Sequence, residues 1–89
     1  MKNDTASYTE MNDAQLIRMF RQGEASVMDY LMEKYKYLVR KKANALFLLG
    51  GDSEDLIQEG MIGLFKAIRD YDELEGSFYS FAELCVNRQ

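Results

Sequence analysis

Two glycines, Gly60 and Gly63, sit inside an amphipathic stretch running from Asp55 to Asp72 in this chain of 89 residues. The stretch reads as one helix. Leu56, Gly60, Gly63 or Leu64, Ala67 and Tyr71 recur at steps of three and four and make one buried stripe. Asp52 or Ser53 can cap its start, and Glu54 and Asp55 place negative charge near the positive end of its dipole. Each glycine costs about 1 kcal/mol against alanine in a helix interior. Retaining two of them predicts that another backbone passes close to the stripe. The opposite side is odd in its own way. Asp55, Gln58, Glu59, Ile62 and Phe65 mix acid, amide and large apolar groups. A merely solvated face has no use for Ile62 and Phe65. Composition and periodicity leave two explanations open: burial on two sides of a small bundle, or a side offered to a partner.

The rest of the chain supplies neighbours for this helix. Asn12 or Asp13 caps a short helix from Ala14 to Gln22, which Gly23 ends. A long helix follows from Ala25 to Leu48, its stripe marked by Val27, Leu31, Tyr35, Leu38, Ala45 and Leu49 and widened by Val39 and Leu46. The last turns of that helix, Ala45 to Leu49, are apolar nearly all round and are expected to be buried. Gly50-Gly51-Asp52-Ser53 then makes a short turn that packs the two long helices antiparallel. After Asp72 a loop, Glu73 to Ser77, leads to a last helix starting near Phe78 to Ser80, with Ser80 and Glu83 as a capping box. The expected architecture is all-α: a small four-helix domain over residues 12–89 behind a polar, flexible 1–11. No glycine or proline stops the last helix, so the domain is expected to be truncated within it at Gln89.

What the chain lacks narrows its chemistry. Histidine is absent and Cys85 is the single cysteine, so zinc, haem and Ser-His or Cys-His catalysis have no material. No Walker or Rossmann glycine loop occurs, no cofactor or metal is expected, and acids on helix faces usually only solvate. An enzymatic role is therefore disfavoured. One cysteine excludes an internal disulfide framework and suits a reducing cytoplasm. No apolar run of about 18 residues and no signal pattern occurs, so no membrane partner is expected. The net charge of −4 is unevenly spread. Lys34, Lys36, Arg40, Lys41 and Lys42 cluster, while Asp52, Glu54, Asp55 and Glu59 form one acidic block and Asp70, Asp72, Glu73 and Glu75 another. On its own the basic segment reads as a solubilising helix face.

The run Asp55-Leu56-Ile57-Gln58-Glu59-Gly60, followed by Gly63-Leu64, Ala67 and Tyr71-Asp72, resembles the core-binding helix in region 2 of bacterial RNA polymerase sigma factors. Gly76, Phe78, Ser80, Phe81, Ala82 and Arg88-Gln89 resemble the start of that family's promoter-melting helix. The wording Phe81-Ala82-Glu83-Leu84-Cys85 is close to the sporulation and stationary-phase sigma factors of the sigma-H type. The likeness runs from about Asn12 to Gln89. It implies that the central helix docks on a coiled-coil of the polymerase β′ subunit. Asp55, Gln58 and Glu59 then take the polar contact positions, and Met61, Ile62 and Phe65 the apolar ones. It also implies that Phe78, Tyr79, Ser80 and Phe81, with Arg88, engage the non-template single strand of the minus-ten promoter element, where a flipped base rests on aromatic rings. Arg40, Lys41 and Lys42 are candidates for the DNA phosphates. Anti-sigma factors are a further class of partner implied by the family.

The chain departs from the primary sigma factors. Their paired tryptophans in the melting helix fall at Leu84 and Cys85, a smaller wedge that should open DNA less readily and demand a stricter promoter. The basic remainder of that helix and a second, helix-turn-helix domain are absent, so this chain is expected to hold polymerase better than DNA. Two rival readings are a helical protein-interaction adaptor with no DNA role and a helical hydrolase using Glu54, Asp55 and Glu59. Exposure of Tyr79, Ser80 and Phe81 beside basic side chains discriminates the first: if all three are buried, the DNA half of the reading loses its site. The second requires acids converging in a pocket.

Overall fold

The computed structural model describes residues 5–50 and 53–89. Four helices make the body: α2 (Asp13–Arg21), α3 (Ser26–Phe47), α4 (Ser53–Asp70) and α5 (Phe78–Arg88). A single turn, α1 (Thr5–Tyr8), precedes them, and a 3-10 turn (Glu73–Glu75) leads into α5. The described residues contain no strand, and no described helix is long and apolar enough to cross a membrane.

Local chemistry sets the helix boundaries. The Asn12 side chain accepts from the Gln15 amide at 2.8 Å, and Gln15 returns the favour to the Asn12 amide at 2.9 Å. This reciprocal box satisfies two amides that a helix start would otherwise leave unpaired. Gly23 follows α2 with a φ of +113°, a left-handed turn that a side chain would strain, and the chain swings into α3. The expected cap Asp52 and the Gly51-Asp52 half of the turn before α4 lie outside the described residues, as does the Met1–Asp4 part of the flexible terminus, while Ser53 is the first residue of α4 itself.

Helix α4 lies between α3 and α5, and its glycines make this possible. A methyl group on Gly63 would sit 2.9 Å from the Cys85 carbonyl oxygen, so here another backbone does pass close by. A methyl on Gly60 would sit 2.7 Å from Val39 Cγ1, so the neighbour there is a branched side chain of α3. Val39 and Gly60 are about equally far along the chain from the turn, which is the register of an antiparallel pair. Gly60, Gly63, Leu64, Ala67 and Ile68 are all buried, with Tyr71 continuing the stripe. They meet Leu16 and Ile17 of α2, Val27, Leu31, Leu38 and Val39 of α3, and Ala82 and Val86 of α5 in one core. Each large apolar side chain fully buried there contributes about 1.5–3 kcal/mol before conformational entropy is charged against it.

Cations from neighbouring helices close two helix ends. Arg21 Nη2 donates to the carbonyl of Arg69 at 2.8 Å, at the end of α4. Lys42 Nζ donates to the carbonyls of Val86 and Asn87 at 2.8 and 3.0 Å, at the end of α5. Positive charge is favourable at both sites because the last carbonyls of a helix lack amide partners. At the other end of the domain, the Tyr35 hydroxyl donates to the Asp13 carboxylate, and Lys34 Nζ reaches its second oxygen at 2.9 Å. Burial, reinforced by Asp13, pushes the Tyr35 phenol far above its ordinary range.

Four expectations need correction. Tyr8 is no part of a frayed terminus: it is buried, its ring meets Tyr30 edge-on at 5.4 Å, and its hydroxyl lies 2.7 Å from Ser26 Oγ. The apolar end of α3 is open to solvent, with Leu48 83% exposed and Phe47, Leu49 and Ala45 also exposed. The fully buried residues of α3 stop at Ala43, and beyond it Leu46 is half-buried. Helix α5 is capped by Ser77, whose Oγ accepts from the Ser80 amide at 3.2 Å, so Ser80 sits inside the first turn and forms no box with Glu83. The central helix ends at Asp70, and Asp72 caps the 3-10 turn through the Leu74 amide at 2.9 Å.

Candidate functional site

Because Gly60, Gly63, Leu64, Ala67 and Ile68 turn inward, helical geometry turns Asp55, Gln58, Glu59, Ile62 and Phe65 outward along one side of α4. All five are exposed, Ile62 to 46% and Phe65 to 42%. The burial-on-two-sides explanation is thereby excluded for this face. Met61 lies at its margin and packs partly against the core, so it offers only a fraction of its side chain. Lys66 and Arg69 follow on the same side, and the Arg69 guanidinium binds Asp70 at 2.7 and 2.8 Å, holding that carboxyl below its usual range. The face therefore begins acidic, passes through an apolar patch and ends basic. Two large apolar side chains ringed by polar groups, on a convex and otherwise complete helix, have the composition of a protein-docking surface. Acids spread over a convex face do not converge on a substrate, which removes the hydrolase reading's geometry.

The start of α5 presents a second surface. Phe78, Ala82 and Val86 share its inner side, and Phe78 is only 3% exposed. The Phe78 ring meets Tyr35 and Tyr71 edge-on, each at 5.3 Å. Phe78 is thus a core residue, and the expectation that it stacks a base is withdrawn. Tyr79, one step round the helix, is 39% exposed. Ser80 is exposed, with its hydroxyl 3.1 Å from Ser77 Oγ. Phe81 is half-buried against Tyr71, ring centres 5.7 Å apart. Beside Tyr79 an open recess of about 270 Å³ is lined by Asn12, Asp13, Tyr71, Ser77 and Phe78. Arg88 is exposed in the last turn. Leu84, in a position of the family's tryptophans, is also exposed, whereas Cys85 is half-buried with its thiol pushed up by desolvation.

The basic segment divides by function once folded. Lys34 is tied to Asp13, Lys36 pairs with Glu33 at 3.8 Å, and Lys42 caps α5. Lys42 is therefore not a free phosphate contact, a second correction at this surface. Arg40 and Lys41 remain exposed on α3. One exposed residue of this region escaped the sequence-based expectations. Tyr37 is 52% exposed, its ring centre 6.2 Å from that of Tyr35, and desolvation together with neighbouring Tyr79 raises its phenol above the ordinary tyrosine value. Its place three and four residues before Arg40 and Lys41, on the same helix face, was the available signal.

Residues 31–89 match the family model for sigma-70 region 2, which takes in most of α3 and all of α4 and α5. The chain belongs to the sigma-70 region 2 family. The RNA polymerase sigma-H factor of Bacillus licheniformis is 49% identical over 83 residues, covering 92% of this chain and 37% of that protein. Its namesake from Bacillus subtilis strain 168 is 46% identical over 89 residues, covering 99% of this chain and 41% of that protein. The RNA polymerase sigma-28 factor of Bacillus thuringiensis subsp. kurstaki is 30% identical over 79 residues, covering 88% and 33%. The chain thus spans about two-fifths of the length of the sigma-H relatives. No solved structure matches significantly. Helices α1 and α2 and the first residues of α3 lie ahead of the family match, yet they bury Tyr8, Leu16, Ile17 and Val27 in the same core.

Proposed function

We propose that this region 2 domain docks on core RNA polymerase and helps open promoter DNA as part of an alternative sigma factor of the sigma-H type. The observation that carries the reading is the α4 face, where exposed Ile62 and Phe65 stand beside Asp55, Gln58 and Glu59. A helical partner bearing arginines, as the β′ coiled-coil does in this family, complements such a face. Its cations meet the acids in charge-assisted hydrogen bonds, and the apolar pair excludes water around them. Met61 adds a partial contact at the edge. The catalysis belongs to the polymerase, and the domain contributes binding and positioning in the cytoplasm.

The DNA half of the proposal rests on exposed Tyr79 and Ser80, half-buried Phe81 and the recess beside them. A displaced base of the minus-ten non-template strand stacks on such a ring, and Arg40, Lys41 and Arg88 hold phosphates. Exposure of Tyr79 and Ser80 leaves the DNA reading its site and supports it over the adaptor. With Leu84 and Cys85 in place of a tryptophan pair, the wedge is small, and opening should depend strongly on promoter sequence. An anti-sigma protein covering Ile62 and Phe65 would silence the factor by occupying the polymerase site.

Retention of core polymerase by the immobilised chain, and its loss in a folded Gln58→Ala/Glu59→Lys variant, is the expected outcome of a pull-down. Equal retention by the two proteins refutes the assignment of the face.

A further inference from the structure

We propose that Tyr37 of α3 and Tyr79 of α5 together form a stacking platform for the bases of single-stranded DNA, so that the strand-binding surface extends from the last helix across onto the long one. The inference rests on the DNA reading above and adds to it a residue on another helix. Tyr37 is 52% exposed and Tyr79 39%. Single exposed tyrosines are ordinary, but these two come from different helices and converge on the same buried ring. Tyr35, buried, sits between them as a rigid base: its ring centre is 6.2 Å from that of Tyr37 and 6.4 Å from that of Tyr79, at tilts of 32° and 44°. Its hydroxyl is anchored on Asp13, so the platform is fixed before any ligand arrives. Neither outer ring is needed to close the core. Cations complete the surface: Arg40 and Lys41, exposed one turn beyond Tyr37, lie along its face of α3. Rings for bases flanked by cations for phosphates are the general solution for holding a single strand.

The test loads the full chain on core polymerase, checks loading by co-elution, and measures the affinity of a short fluorescein-labelled single-stranded DNA by anisotropy. Tyr37→Ala is expected to weaken binding roughly 5- to 100-fold, the range for loss of one stacked base, and Tyr37→Phe to keep most of it because the ring remains. Tyr79→Ala reports on the parent reading. Loss in Tyr79→Ala with wild-type affinity in Tyr37→Ala overturns the platform alone. Wild-type affinity in both variants, or a chain that neither loads nor alters DNA binding, overturns the parent reading and the platform with it. Equal loss in Tyr37→Phe and Tyr37→Ala also overturns it, since the ring would then be irrelevant. Nitration mapping of the wild-type chain is independent of any variant's folding: DNA is expected to shield Tyr37 and Tyr79 together, and an unshielded Tyr37 contradicts the proposal.

Discussion

Adding one carbon at Gly60 sets two effects against each other. Alanine gains about 1 kcal/mol of helix propensity, but its methyl would stand 2.7 Å from Val39 Cγ1. Val39 is fully buried and β-branched, so it has no easy rotamer to retreat into. Overpacking of this kind costs about 1–3 kcal/mol, so Gly60→Ala is expected to lower stability by about 1 kcal/mol in urea denaturation. In a Val39→Ala background the methyl has room, and the same change should become neutral or stabilising. Gly63 is less forgiving, because its neighbour is the Cys85 carbonyl and the whole of α5 must shift. Gly63→Ala should cost more, about 2–3 kcal/mol, and no single side-chain truncation should rescue it. The glycines themselves were legible in the sequence, since they break the propensity of a helix they occupy. What passes over each was not, because nothing local records whether a neighbour 20 residues away in the chain presents a side chain or a backbone.

Among the elements, α4 was the most legible and the end of α3 the least. A stripe at helical spacing identifies an inner side, and everything opposite it follows from geometry, so the exposed face could be read before the fold was known. Phe78 was also readable in principle, being in step with Ala82 and Val86. The exposed end from Phe47 to Leu49 was not, because hydrophobicity says what a residue prefers and only tertiary structure supplies the cover. The cations show the same limit. Lys41 and Lys42 are adjacent in sequence, yet one turns to solvent and the other caps α5. Lys42→Ala is therefore expected to cost about 1 kcal/mol and to speed amide exchange in the last turn of α5. Arg40→Ala and Lys41→Ala should stay within about 0.5 kcal/mol of wild type in stability and act on DNA binding alone. A destabilised Lys41→Ala beside a neutral Lys42→Ala would reverse this assignment.

At the scale of the molecule, buried tyrosines link stability to pH. Tyr35 and Tyr71 hold their protons above the ordinary tyrosine value of 10.0, in both cases chiefly because burial disfavours the phenolate. The unfolded chain releases these protons near pH 10 while the native state keeps them. Above that pH the native state binds more protons, so stability falls as pH rises. It is fully present below about pH 10 and is lost as the native phenols are finally titrated. Thermal melts should decline on that alkaline limb, and Tyr35→Phe should flatten it while lowering neutral stability through loss of the Asp13 hydrogen bond. The same compact core holds the exposed side of α4, the proposed docking surface, in place. The most direct measurement of its role is a calorimetric titration of the isolated polymerase β′ coiled-coil into the wild-type chain and into Ile62→Ala/Phe65→Ala. The expected result is measurable binding by wild type and a loss of tenfold or more, about 1.4 kcal/mol, in a double variant with an unchanged circular dichroism spectrum. Equal affinities in two folded proteins would contradict the assignment of this face to polymerase.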